Sequence, residues 1–167
     1  MGPLNATTKL IPMREEQFST FVEEAIANYA HDNVTAGRWP ERQALGNSRS
    51  EFERLLPNGL STPDNYLYEI WDEALGAAVG FLWFAVLGTE DARFGFIYNI
   101  RVRPEFRGRG HAATALALIE DVAEKMGLRS VALHVFAFNS AAQALYRSAG
   151  FGITGYNMRK PLRRNDA

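Results

Sequence analysis

A chain of 167 residues, 47% hydrophobic and 12% aromatic, fits one domain whose core needs no covalent staples. Its net charge of -1 argues against a surface cationic throughout, hence against a dedicated nucleic-acid binder, and the lack of cysteine excludes disulfides, thiolate nucleophiles and cysteine metal sites. No apolar run approaches the ~20 residues that span a bilayer and the N-terminus lacks the basic-then-apolar order of a leader, so a cytoplasmic location without membrane association is expected.

Residues 9–14 read as a short strand stopped near Pro12. From Glu15 to about Val34, apolar residues recur at Phe18, Phe21, Val22, Ala25, Ile26 and Tyr29, the spacing of a helix with one apolar face. Gly37 and Pro40 end it. Residues 40–56 form a second, more polar helix, expected in two pieces because Gly46-Asn47 interrupts it. After turn chemistry at Pro57-Asn58-Gly59 and Pro63-Asp64, residues 66–71 and 79–87 become β-branched and aromatic and read as a hairpin. Residues 94–103 add a strand that Arg103-Pro104 closes, since the residue before proline avoids helical geometry.

Residues 108–126 make the clearest helix, with an apolar stripe at Ala112, Ala115, Leu116, Ile119, Val122, Ala123 and Met126 and a stop at Gly127. A strand at 130–136, a short helix from the N-cap Asn139 to Ala149 and a last strand at 151–160 follow. The order β-α-α-β-β-β-α-β-α-β describes an α/β sandwich with a mixed sheet. One domain is expected over residues 1–167, ordered over about 7–160 and loose over 161–167.

The segment from Val102 to Ala112 carries the chemistry. A strand ends at proline, a glycine-containing loop follows, and a helix starts at once. Such a turn aims unpaired backbone amides outward at the positive end of the helix dipole, which suits a phosphate or diphosphate. Gly108 and Gly110 let an anion approach the backbone, and Arg107 and Arg109 add positive charge. As four letters, Arg-Gly-Arg-Gly is an exposed turn; its setting between this strand and this helix favours the anion site. A Walker loop is not spelled anywhere, and a Rossmann fingerprint needs three spaced glycines after the first strand.

Arg107-x-x-Gly110-x-Ala112 after Val102-x-Pro104 resembles the acetyl-CoA signature of the GNAT superfamily of N-acetyltransferases. Residues 139–151, Asn-Ser-Ala-Ala-Gln-Ala-Leu-Tyr-Arg-Ser-Ala-Gly-Phe, resemble the family's second signature, in its order and spacing. Leu133-His134-Val135-Phe136-Ala137 and Phe96-Ile97-Tyr98-Asn99 further resemble a bacterial branch of small members typified by YycN. The fold this implies is a three-layer sandwich, a mixed and mostly antiparallel sheet flanked by helices.

The resemblance implies an acetyl-CoA-dependent enzyme with no metal. The coenzyme's diphosphate falls to the backbone of Arg107, Gly108, Arg109, Gly110, His111 and Ala112, and its pantetheine arm to the main chain of Ile100, Arg101 and Val102. Asn139 matches a residue that hydrogen-bonds the pantetheine, and Tyr146 matches the tyrosine that protonates the departing thiolate. His134 is the candidate general base, twelve positions before Tyr146, where ribosomal-protein N-acetyltransferases carry a glutamate. Many members place an acid on the fourth strand; here Tyr98-Asn99 stands there, and Asn99 is no base. Deprotonation then falls to His134, to Glu69 across the sheet, or to ordered water. With no cysteine and no serine elbow, direct attack by the amine in a ternary complex is expected, the oxyanion held by a strand-four N–H.

By the same resemblance, residues 31–39, with Asn33, Arg38 and Trp39, wall the acceptor pocket; Trp71, Trp83 and Tyr68 stand available from the hairpin, with Trp83 read first as a core residue. The partners implied are acetyl-CoA and an amine, a small molecule or a protein amine; a homodimer is left open. Two other readings remain: an acyl-CoA sensor or scaffold without turnover, and a nucleic-acid module using Arg101, Arg103, Arg107 and Arg109, against which the near-neutral charge speaks.

Overall fold

The computed structural model describes residues 4–162. The elements run β1 (Thr8–Pro12), α1 (Glu15–Thr35), α2 (Glu41–Leu55), β2 (Asn65–Asp72), β3 (Ala77–Leu87), β4 (Phe94–Val102), α3 (His111–Lys125), β5 (Val131–Leu133) and α4 (Ser140–Ser148). The sheet is ordered β1-β2-β3-β4-β5; the first four strands are antiparallel neighbours, and β5 runs parallel to β4.

Two apolar clusters explain the layering. On one face, α1 buries Phe21, Ala25 and Ile26 and α2 buries Phe52, all against Leu67, Phe81 and Trp83 of the sheet. On the other, Ala115, Leu116, Ile119 and Ala123 of α3 pack on Ile70, Val79, Leu82, Phe84 and Val102, with Leu145, Tyr146 and Ala149 of α4 at the margin. Covered on both faces, β3 is buried at every residue from Val79 to Val86, which accounts for its unbroken apolar run. The expected three-layer sandwich is therefore present. Among the described residues, no helix is long and apolar enough to cross a membrane.

Three expected elements differ. The second helix is one piece: nothing lies within 4 Å of a Cβ built on Gly46, and the helix is held from its opposite face, where Ser48 Oγ donates to the Ile26 carbonyl at 2.8 Å. A solvent-facing glycine costs a helix about 1 kcal/mol and does not break it. The strand expected over 130–136 closes at Leu133, because the chain leaves β4 at His134. No strand forms over 151–160; residues 151–162 lack regular structure. Phe151 still packs against Tyr146, and its amide donates to the Tyr146 carbonyl at 2.9 Å. Beyond it, apolar residues at 151 and 153 and then at 156 and 158 switch parity across Gly155, so no single face of a strand would be apolar. Tyr156 and Met158 are accordingly 81% and 95% exposed. The segment reaches the α1–α2 connection, where Arg159 donates to the Gly37 carbonyl.

Candidate active site

The site begins with a mismatch between two strands. β4 is paired with β3 along its length but with β5 only at Gly95, Phe96 and Ile97. Among the described residues, no strand lies beside its β5-side edge from Tyr98 to Val102. The divergence coincides with a bulge: Trp83 pairs with Asn99 and Phe84 with Ile97, so Tyr98 is the extra residue. Tyr98 stacks on Trp83 at 4.5 Å, which fixes the bulge from the α1 side. The main chain of Ile100, Arg101 and Val102 thus lies along an open edge.

That edge leads into the loop. Pro104–Phe106 forms a single 3₁₀ turn, and Gly108 and Gly110 take φ of 72° and 83°, left-handed values that favour glycine. Both arginines fold back on their own loop. Arg107 Nε donates to the Val102 carbonyl at 3.0 Å; Arg109 Nη2 donates to the Glu105 carbonyl at 3.1 Å, with its guanidinium 5.7 Å from the Phe106 ring centre. Helix α3 has no side-chain cap, and its first backbone bond runs from the Thr114 amide to the Gly110 carbonyl at 3.0 Å. Among the described residues, the amides of residues 108–113 make no hydrogen bond. All of these residues except Arg109 border a cavity of about 300 Å³ between Val102, this loop, the first turn of α3, and Leu145 and Ser148 of α4.

Across α4 lies a larger cavity of about 1110 Å³, bordered by β5, α3, α4 and residues 151–157, and both Tyr146 and His134 line it. The two residues expected to move protons thus line one cavity, while Arg107, Gly108, Gly110, His111, Ala112 and Val102 line the neighbouring one; Ile100, Arg101, Arg109 and Asn139 border neither. Burial pushes the Tyr146 phenol above its ordinary pKa, so it stays protonated at neutral pH. His134 keeps an exposed edge, but its ring is partly shielded and stands 4.9 Å from that of Phe136. That shielding, and then the Arg38 cation, hold its pKa below the usual imidazole value. Arg38 itself stacks 5.0 Å over Phe136. Asn139 caps α4: its Oδ1 accepts the Ala142 amide at 3.1 Å.

Comparison with known proteins decides the family. The model of the acetyltransferase (GNAT) family matches residues 31–151. The chain belongs to the acetyltransferase (GNAT) family. It is 37% identical to the uncharacterized N-acetyltransferase YycN of Bacillus subtilis (strain 168) over 158 residues, covering 93% of this chain and 99% of that protein. It is 35% identical to the uncharacterized N-acetyltransferase YdgE of the same organism, covering 90% and 95%. The crystal structure of the acetyltransferase YycN superposes with a TM-score of 0.89 at 36% identity, over 94% of this chain and 99% of that one.

Within this GNAT chain the acidic residues separate by environment. Glu69, one of the alternative bases, has no exposed surface and is clasped by Arg14, whose Nε and Nη2 lie 2.9 and 3.1 Å from its two oxygens. Burial alone would raise its pKa; the hydrogen bonds and charge of Arg14 outweigh that and hold it below the usual carboxylate value. A carboxylate so occupied is an anchor between β2 and the start of α1. Arg14→Ala is expected to lower the urea-unfolding midpoint at pH 7, because it strands a buried charge. The sign follows from the depressed pKa. The pair's contribution is full above the unfolded carboxyl pKa and lost as pH falls through the folded one, so wild type and variant should converge on acidification.

Sequence reasoning passed over Asp32. Burial holds its half-buried carboxyl above the ordinary pKa, with the charges of His31 and Arg101 pulling the other way. The signal was weak, an acid in a helix without a motif. Trp83 is 1% exposed, donates to Asn65 and belongs to the core, and Tyr68 packs on the α3 side of the sheet. Trp39, against Tyr29 at 5.4 Å, and Trp71, 5.8 Å from the Arg14 guanidinium, stay partly open. Asn33 is buried; its carbonyl accepts the amides of Arg38 and Trp39 and shapes the α1–α2 turn.

Proposed function

We propose that the protein is an N-acetyltransferase that moves an acetyl group from acetyl-CoA to a primary amine by direct attack in a ternary complex. The observation that carries this reading is the run of uncommitted amides at residues 108–113, at the positive end of α3 and beside a cavity. Such a cradle fits a diphosphate by hydrogen bonding and by dipole. The open edge of β4 beyond Ile97 supports main-chain pairing with an extended arm at Ile100, Arg101 and Val102, and the Nδ2 of capping Asn139, without a hydrogen-bond partner among the described residues, supports a further hydrogen bond to it.

Acetyl-CoA supplies an activated thioester. The chain's own groups handle the protons. His134, largely neutral at physiological pH, takes one from the attacking ammonium; the amine nitrogen then forms the new N–C bond as the C–S bond breaks. Tyr146 gives its phenolic proton to the departing thiolate, the second proton shed by the newly acylated nitrogen restores the phenol, and a β4 backbone N–H holds the charge developing on the carbonyl oxygen. Incubation with acetyl-CoA and an amine panel, read as free thiol, tests the reading. Amine-dependent thiol release supports it, and coenzyme binding without release would favour the sensor or scaffold.

The role of His134 carries a pH signature. A base must be unprotonated, so the rate should rise with pH through a pKa below the usual imidazole value. His134→Ala is expected to lose that acidic limb, with kcat down about 100-fold, the lower end for removing a general base. Arg38→Ala should move the limb to higher pH, because the cation that disfavours imidazolium is gone. An unchanged profile in both variants would remove His134 from the role.

A further inference from the structure

His111 opens α3 and was expected to offer its backbone amide to the coenzyme. Its side chain goes the other way. The ring is 1% exposed, and Nδ1 lies 2.8 Å from the Thr8 hydroxyl. Nε2 is buried and makes no hydrogen bond among the described residues; it stands 3.6 Å from Asp72 Oδ2. Asp72 accepts from the Thr7 hydroxyl at 2.7 Å and from the Ala74 amide at 2.9 Å. An ionised carboxylate only accepts, so the ring proton belongs on Nε2 facing it, and Nδ1 accepts from Thr8.

The neighbouring peptides are held from the same side. Asn5 Nδ2 donates to the Arg109 carbonyl at 3.0 Å, and the Asn5 amide donates to Thr114 Oγ1 at 2.7 Å. Thr114 Oγ1 in turn donates to the Gly110 carbonyl at 3.1 Å. In a planar trans peptide the C=O and the following N–H point in opposite directions. Holding the Arg109 and Gly110 carbonyls inward therefore aims the Gly110 and His111 amides outward, toward the cavity. The segment from Asn5 to Thr8 acts as a strap behind the loop, and His111 is the side chain that ties the loop's last residue to β1 and β2.

We propose that His111 is a positioning residue: its contacts to Thr8 and Asp72 fix the direction of the amides that bind the coenzyme's diphosphate, and so set acetyl-CoA affinity without touching the chemistry. This rests on the coenzyme reading given above. His111→Ala should raise the KM for acetyl-CoA by up to about ten-fold, the scale of losing one buried neutral hydrogen bond, while kcat and the amine KM stay within about two-fold. His111→Gln, whose amide nitrogen reaches the Nε2 position, should recover most of the loss, and Asp72→Asn should show the same KM-selective defect. If His111→Ala does not fold, the Gln and Asp72→Asn variants carry the test. Amide hydrogen exchange read without ligand separates the two readings: the hydrogen-bonded amides of Asn5 and Thr114, which close on Thr114 Oγ1 and the Gly110 carbonyl, should exchange faster in the variants, with β2 and β3 unchanged. Equal exchange there, or KM and kcat falling together with thermal stability and no rescue by Gln, overturns the positioning role. A wild type that takes up no acetyl-CoA while the exchange difference stands would overturn the coenzyme reading, and with it the link from His111 to affinity.

Discussion

Gly110→Asp is expected to weaken acetyl-CoA binding by at least about 100-fold while leaving a folded protein. Gly110 is the residue before α3, with its carbonyl engaged by Thr114 and its φ at 83°. A carboxylate there stands beside the amides assigned to the diphosphate, competes for them, and repels the incoming anion. Two like charges about 5 Å apart at an effective dielectric of ~20 repel by about 3 kcal/mol, which is about 100-fold in affinity. Gly110→Ala separates charge from backbone strain. It meets the left-handed cost of about 1–2 kcal/mol without the carboxylate, so it should lower thermal stability more clearly than affinity. Calorimetric titration of both variants decides the matter, and equal affinity in Gly110→Asp and wild type would contradict the loop assignment.

Tyr146→Phe should lower kcat by about 100-fold with the acetyl-CoA Kd within about two-fold of wild type. The phenol lines the larger cavity with His134, and burial keeps it protonated at the pH where a thiolate needs a proton. Its ring packs on Phe151 at 5.9 Å, a contact that phenylalanine retains, so lost rate should not be lost folding. An unaltered rate of thiol release would take Tyr146 out of the acid role.

The sequence was most informative where the determinants are local. The α3 stripe from Ala115 to Ala123, the loop glycines and the capping Asn139 each act over a few residues and stand where expected. The helix nevertheless begins at His111 and not at 108, because Gly108 and Gly110 take left-handed φ, and Met126 at its end is exposed. The failures are tertiary. Gly46-Asn47 looked like a break, yet the face of α2 that packs on α1 holds the helix through it. Residues 151–160 looked like a strand by composition, but their apolar parity switches midway. The inward turn of His111 depends on Thr8 and Asp72, distant in sequence, and nothing in the loop announces it. Tyr146 and His134 could be paired only through a family resemblance, because their shared cavity arises from the way α4 and β5 pack.

The amides at the start of α3 are proposed to receive the coenzyme's diphosphate. The most direct measurement is a ¹⁵N-amide NMR titration with acetyl-CoA, run in parallel with acetyl-pantetheine, which lacks the diphosphate. Acetyl-CoA should shift the amides of residues 108–113 strongly, and acetyl-pantetheine should leave them nearly unmoved while still shifting residues 100–102. Acetyl-CoA binding that leaves residues 108–113 unshifted would contradict the account.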